Sequence, residues 1–172
     1  AQRMFQLMWD FKFTPPGRGL WMMGAPSLKI KGGAVLNNCA FISTENIDMD
    51  FAEPFCWQMD MSMLGVGVGF DTKGANKIII KQPKETSAVH VVADTREGWV
   101  EVLRVTLKAF EKGLEMPTFD YSQVRPSGTP LKGMGGVASG PGPLMEMQEN
   151  ITKLLNQNIG KEISSEVIVD LM

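Results

Sequence analysis

"DTREGWVEVLRVTLKAFEKG", residues 94–113, decides the class of this fold. Trp99, Leu103, Thr106, Leu107 and Phe110 recur at spacings of three and four, which puts one apolar face on a helix. Asp94 and Glu97 stand as a capping-box pair at its start, and Gly113 offers the left-handed residue that ends it. Upstream lie two β-branched runs, "NKIIIKQ" (76–82) and "SAVHVVA" (87–93). The intervening "PKETS" predicts that they form a hairpin. Downstream, "PTFDYSQV" (117–124) reads as a further strand. Strands alternate with helices, so the class is α/β.

The same reading extends outward in both directions. Residues 51–64, "FAEPFCWQMDMSML", are apolar on nearly every side and predict a buried helix with Pro54 in its first turn. That helix runs straight into "GVGVGF" (65–70), a short strand of alternating glycines. "GGAVLNNCAFIST" (32–44) reads as a strand, and "FKFTPPGRGLW" (11–21) as a loop stiffened by Pro15 and Pro16. Residues 125–143 carry six glycines and four prolines, and two helices, roughly 144–158 and 162–172, follow. No internal repeat is present.

Composition narrows the function classes. A chain of 172 residues with 44% hydrophobic content can bury one core. Nineteen acidic and seventeen basic residues leave a net charge of -2, which favours neither nucleic acid nor an anionic membrane surface. No apolar run approaches a bilayer span and no signal-peptide pattern opens the chain, so a cytoplasmic location is expected. Two cysteines seventeen positions apart are not a disulfide framework. Thirteen methionines suggest an adaptable interior. The chain opens on Ala1, and the apolar stripe Ile163, Val167, Ile168 and Leu171 runs to its end without a helix stop. Both features read as a piece of a larger protein.

Few motifs carry chemistry. "GVGVGFDTKG" fails as a dinucleotide fingerprint, because Phe70 or Thr72 falls where glycine is needed, and no Gly-Lys-Ser/Thr follows. Its glycines instead leave room for a second backbone or a ligand. The one histidine, His90, has no neighbours at ligand spacing, so no metal site is expected. The same shortage of histidine argues against a Ser-His-Asp triad. The loop at 125–143 is either a linker or an anion nest supplied with charge by Arg125 and Lys132, and its prolines favour the second. Cys56 belongs to the core. Cys39, in "VLNNCAFIST" (35–44), is either small core filler or a redox thiol at a cavity edge. Asn37 and Asn38 beside it are costly in an apolar strand unless they meet partners or a polar site.

Taken together, "PPGRGLW", "LNNCAF", "GVGVGF", "DTREGWV" and "RPSGTPLKGMGGVASGPGPL" occur in an order that closely resembles the adenosylcobalamin-dependent (class II) ribonucleotide reductases. The resemblance covers essentially the whole chain. It implies the first half-barrel of a ten-stranded α/β barrel, forming one unit over 1–172 with a hairpin–helix insertion at about 74–116. It also implies reduction of ribonucleotides to 2′-deoxyribonucleotides, started by adenosylcobalamin and fed with electrons by a thioredoxin-like reductant. Within that scheme Cys39 is one of two substrate-reducing cysteines, and Asn38, Val66 and Gly67 line the ribonucleotide. Arg125, Lys132 and Gly133 fall in the region that takes a deoxynucleotide effector. Cys56 matches none of the family's cysteines, so this chain alone is expected to reduce nothing. The alternatives are the large subunit of a metal-radical (class I) ribonucleotide reductase, or a non-catalytic nucleotide-binding remnant. Assembly as a monomer or a homodimer stays open, as does a di- or triphosphate substrate.

Overall fold

The computed structural model describes residues 1–131 and 136–172. Three short helices open the chain: α1 (Gln2–Trp9), α2 (Gly17–Met22) and α3 (Pro26–Lys31), followed by a 3-10 turn at Gly32–Leu36. Two β-α-β units come next. The first is β1 (Cys39–Ile42), α4 (Glu53–Met63) and β2 (Gly67–Phe70); the second is β3 (Lys84–Val91), α5 (Arg96–Lys112) and β4 (Glu115–Asp120). Helices α6 (Gly142–Asn156) and α7 (Ser165–Leu171) complete the α/β arrangement. Each unit holds a parallel strand pair, as a helical crossover requires. Among the described residues no helix is long and apolar enough to cross a membrane.

The two units meet through their helices. Phe51 just before α4, and Phe55 and Cys56 in its first turn, join Leu103, Leu107 and Phe110 of α5 in one core, which Ile151, Leu155 and Ile168 close from the C-terminal helices. Phe51 and Phe55 pack edge to face at 5.3 Å. Met59, Met63, Met116 and Met147 fill the margins of this core, the place where unbranched side chains adapt best. A smaller core of Met22, Val35, Leu64 and Val66 seats the N-terminal helices on the end of α4.

Several sequence expectations are corrected. Residues 77–82 do not form a hairpin with β3, which begins inside the expected turn at Lys84. The Ile80 N–H donates to the Lys161 carbonyl, and its own carbonyl accepts from the Gly160 N–H. The Ile163 N–H donates in turn to the carbonyl of Ile78. Ile80 is fully buried by this pairing, so the apolar run satisfies its backbone with a distant segment instead of its neighbour. Helix α5 is capped by Thr95, whose hydroxyl accepts from the Gly98 N–H, and not by Asp94. Gly113 ends it at φ 66° as expected. Of the strand expected over 32–44 only Cys39–Ile42 is extended. Within the expected loop at 11–21, Pro16 takes the extended conformation and starts α2. Opposite Pro117, which has no N–H to give, residues 86–88 of β3 bulge out of register.

The C-terminal ends of β1 and β2 are tied by one carboxylate. Asp71 accepts from the Ser43 hydroxyl at 2.7 Å, and from the Thr44 N–H and Thr44 hydroxyl at 2.9 Å each. Thr44, fully buried, in turn accepts from the Gly74 N–H at 2.9 Å. A Cβ on Gly74 would lie 2.7 Å from the Thr44 carbonyl oxygen, so the turn closes only around glycine. Burial alone would raise the Asp71 carboxyl, but the hydrogen bonds from Ser43 and Thr44 outweigh it and hold it at about 2.

Phe55→Ala should therefore cost about 3–5 kcal/mol in a denaturant titration, since it empties the contact between the two units. The Asp71 carboxyl sits below the usual carboxylate range in the folded chain. Its stabilisation is thus present above about pH 4 and is lost as the pH falls toward 2. Asp71→Asn should lower stability at neutral pH by about 1–3 kcal/mol, and the gap from the wild type should close in acid. An unchanged gap across that range would assign the loss to packing.

Candidate functional site

The outer face of the first strand pair is open. Cys39 and Phe41 alternate with Ala40 and Ile42 along β1, and both outward residues are exposed, Phe41 by 62%. Cys39 stands opposite Gly67 and Phe41 opposite Gly69. The Gly67 N–H donates to the Asn38 carbonyl at 2.9 Å, which starts the pairing. A Cβ built on Gly67 would meet nothing closer than the Asn38 carbonyl oxygen at 3.7 Å. On Gly69 it would touch the Phe41 ring at 3.5 Å. Both are ordinary contacts, so packing does not demand glycine at either position. What the missing side chains leave is free space beside the thiol.

The Cys39 thiol is exposed and so belongs to none of the cores described above. Cys56 is the opposite case. It is fully buried, its Sγ faces the Val100 carbonyl at 3.9 Å, and burial pushes its thiol up to about 12. The expected cost of burying Asn37 and Asn38 does not arise, because both are exposed on the approach to β1. Val66 departs from expectation: its side chain lies in the smaller core, 3% exposed, so only its backbone can meet a ligand.

The residues expected to bind an effector lie in another part of the chain. The Arg125 Nε donates to the Asp94 carboxylate at 2.7 Å, and its Nη2 to the Asp94 carbonyl at 3.3 Å. Asp94, freed from capping α5, thus clasps the start of the glycine-rich loop to that helix. Beyond it, Pro130 and Val137 pair in antiparallel fashion, and the Gly128 and Ala138 N–H groups donate to the Ala138 and Thr129 carbonyls. Gly140 at φ 78° packs against Ser127, leaving no room for a side chain. The base of the loop is thus an ordered turn. Lys132 and Gly133 lie outside the described residues.

Sequence reasoning missed Arg18, Phe41 and the Ser43–Thr44–Asp71 cluster. A charge set in the apolar "GRGLW" was the available signal for Arg18. The cluster had none, because its members come together only through strand pairing. Among the described residues no group of histidine, cysteine or acidic side chains could hold a metal ion. His90 packs edge-on against Phe119 at 5.5 Å.

Residues 68–155 match the family "B12-dependent ribonucleotide reductase, insertion domain". The whole chain is 47% identical to the adenosylcobalamin-dependent ribonucleoside-triphosphate reductase of Euglena gracilis, covering 24% of it. It is also 47% identical to a probable enzyme of the same name from Dictyostelium discoideum, covering 25%. Against the Levilactobacillus brevis enzyme the identity is 28%, with 30% of that protein covered. The chain thus spans about a quarter of the length of these relatives. A crystal structure of a B12-dependent (class II) ribonucleotide reductase superposes with a TM-score of 0.79 at 24% identity. The superposition covers 99% of this chain and 31% of that one, and it establishes the likeness of fold. The family match over residues 68–155, half of the chain, places this protein in the B12-dependent ribonucleotide reductase family.

Proposed function

We propose that this chain supplies the substrate-facing thiol wall of a ribonucleotide reductase acting on ribonucleoside triphosphates. The observation that carries the proposal is Cys39, exposed on β1 opposite Gly67 and Gly69, with open space where two side chains are missing. In this reading the ribose lies over that space, and Asn38 with the backbone of Val66 and Gly67 lines it. Cys39 gives its proton toward the departing 2′-hydroxyl, which leaves as water. The C2′–O bond breaks and a C2′–H bond forms. Two thiols give up two electrons and two protons to the sugar and its leaving hydroxyl and become one disulfide, and a thioredoxin-like dithiol then supplies the two electrons that return it to thiols.

Cys56 cannot be the second thiol, because it is sealed in the core around α4. The 172-residue chain alone is therefore inert as a reductase. In this reading the first half-barrel contributes the wall that carries β1 and β2, and the insertion at about 74–116 carries β3 and α5. The ordered turn after Arg125, together with Lys132 and Gly133, is the region that takes the deoxynucleotide effector. Arg125 meets Asp94 through Nε and Nη2, which leaves Nη1 for an effector phosphate.

Adenosylcobalamin is the cofactor named for the relatives. The full-length enzyme binds it, and this chain at most in part: two depressions among the described residues, of about 480 and 380 Å³, lie beside α6 and are lined by none of the residues around Cys39. Radical initiation is accordingly assigned to no residue of this chain.

The folded chain should expose one thiol to a water-soluble disulfide reagent and two in denaturant. In the full-length protein, Cys39→Ser should abolish multiple-turnover formation of deoxyribonucleotide while leaving ribonucleotide binding within about twofold. Sustained turnover by that variant, or by the 172-residue chain alone, would refute the assignment.

A further inference from the structure

Arg18 is the one charged side chain among the buried residues described, 9% exposed, and it lies beside the proposed site. A buried guanidinium is ordinarily met by a carboxylate. Here its partners are main-chain carbonyls and a ring. Nη1 donates to the Leu64 carbonyl at 3.1 Å, Nη2 donates to the Gly65 carbonyl, and the guanidinium lies 5.1 Å from the centre of the Trp21 ring. Leu64 is the C-cap of α4, so the charge sits where the helix presents its unpaired carbonyls and the negative end of its dipole.

Gly65 is bound to this arrangement twice over. Its φ of 78° disfavours any side chain, and a Cβ there would stand 2.5 Å from Arg18 Nη2. Two residues later Gly67 opens β2 and donates its N–H to Asn38, directly opposite Cys39. The far end of the strand pair is tied by Asp71. At the near end, the exit from α4 leads into Gly67, and Arg18 holds it together with the Gly65 and Val66 N–H groups, which donate to the Ser62 and Met61 carbonyls.

We propose that Arg18 is a positioning residue of the Cys39 site: by gripping the Leu64 and Gly65 carbonyls it fixes the turn that places Gly67 opposite the thiol. Its catalytic consequence rests on the function proposed above; its structural consequence does not. Hydrogen exchange in the 172-residue chain reads the second directly. Arg18→Met should speed exchange of the Gly67 amide by at least about tenfold. The Val92 amide, bonded to the Asp120 carbonyl at 2.9 Å in the second unit, should move by less than about twofold. In the full-length protein the same variant should lower kcat about 10–100-fold with KM nearly unchanged. Arg18→Lys, which keeps the charge but reaches one carbonyl, should recover part of both losses. Unchanged exchange at Gly67, an equal rise at Val92, or a loss confined to KM would overturn the proposal. Should Arg18→Met fail to fold, Arg18→Lys is read by the same criteria. If the wild-type full-length protein reduces no ribonucleotide, the functional reading fails while the exchange result still decides the role of Arg18.

Discussion

The burial of α4 against α5 is the contact on which the rest of the structure depends. Each β-α-β unit contributes only a two-stranded parallel sheet, and so small a sheet cannot stand alone. Joined through Phe51, Phe55, Leu107 and Phe110, the two helices form a common core that both sheets lean on. The connections then follow from hydrogen-bond accounting. Ile78 and Ile80 pair with the segment before α7, the Lys81 N–H satisfies the Phe110 carbonyl near the end of α5, and Pro117 forces the one register break in β3.

The site is a place where this packing is withheld. On the inner face of the first strand pair Ala40 and Val68 pack against the smaller core. On the outer face a thiol, an aromatic ring and two glycines remain uncovered. An open face built on a four-residue strand pair holds its geometry only if both ends are anchored. The anchors differ in kind: a guanidinium on carbonyls at one end, a carboxylate under hydroxyl and amide donors at the other. Both lie outside the open face, so that face stays clear.

Legibility tracked the range of the interaction. The helices around Phe55 and Leu107 were readable because periodicity and end signals lie within a few residues of one another. Even there, Thr95 and not Asp94 caps α5, and Asp94 is bound instead by Arg125, which is remote in sequence. The hairpin expectation failed for the same reason. A β-branched run states that it will pair but not with what, and Pro83 and Ser87 resembled a turn only locally.

By itself the sequence determined the α/β class, the helices with their glycine and proline punctuation, the burial of Cys56, and the ordered motifs that mark the B12-dependent ribonucleotide reductase family. Those properties depend on neighbours along the chain or on residue type alone. Tertiary structure decided that Cys39 is exposed, that Val66 turns inward, that Arg125 is held by Asp94, and that Arg18 grips the end of α4. A side chain's exposure and its polar partner depend on which distant backbone arrives beside it. That is set by how the two helices pack, and no local pattern records it.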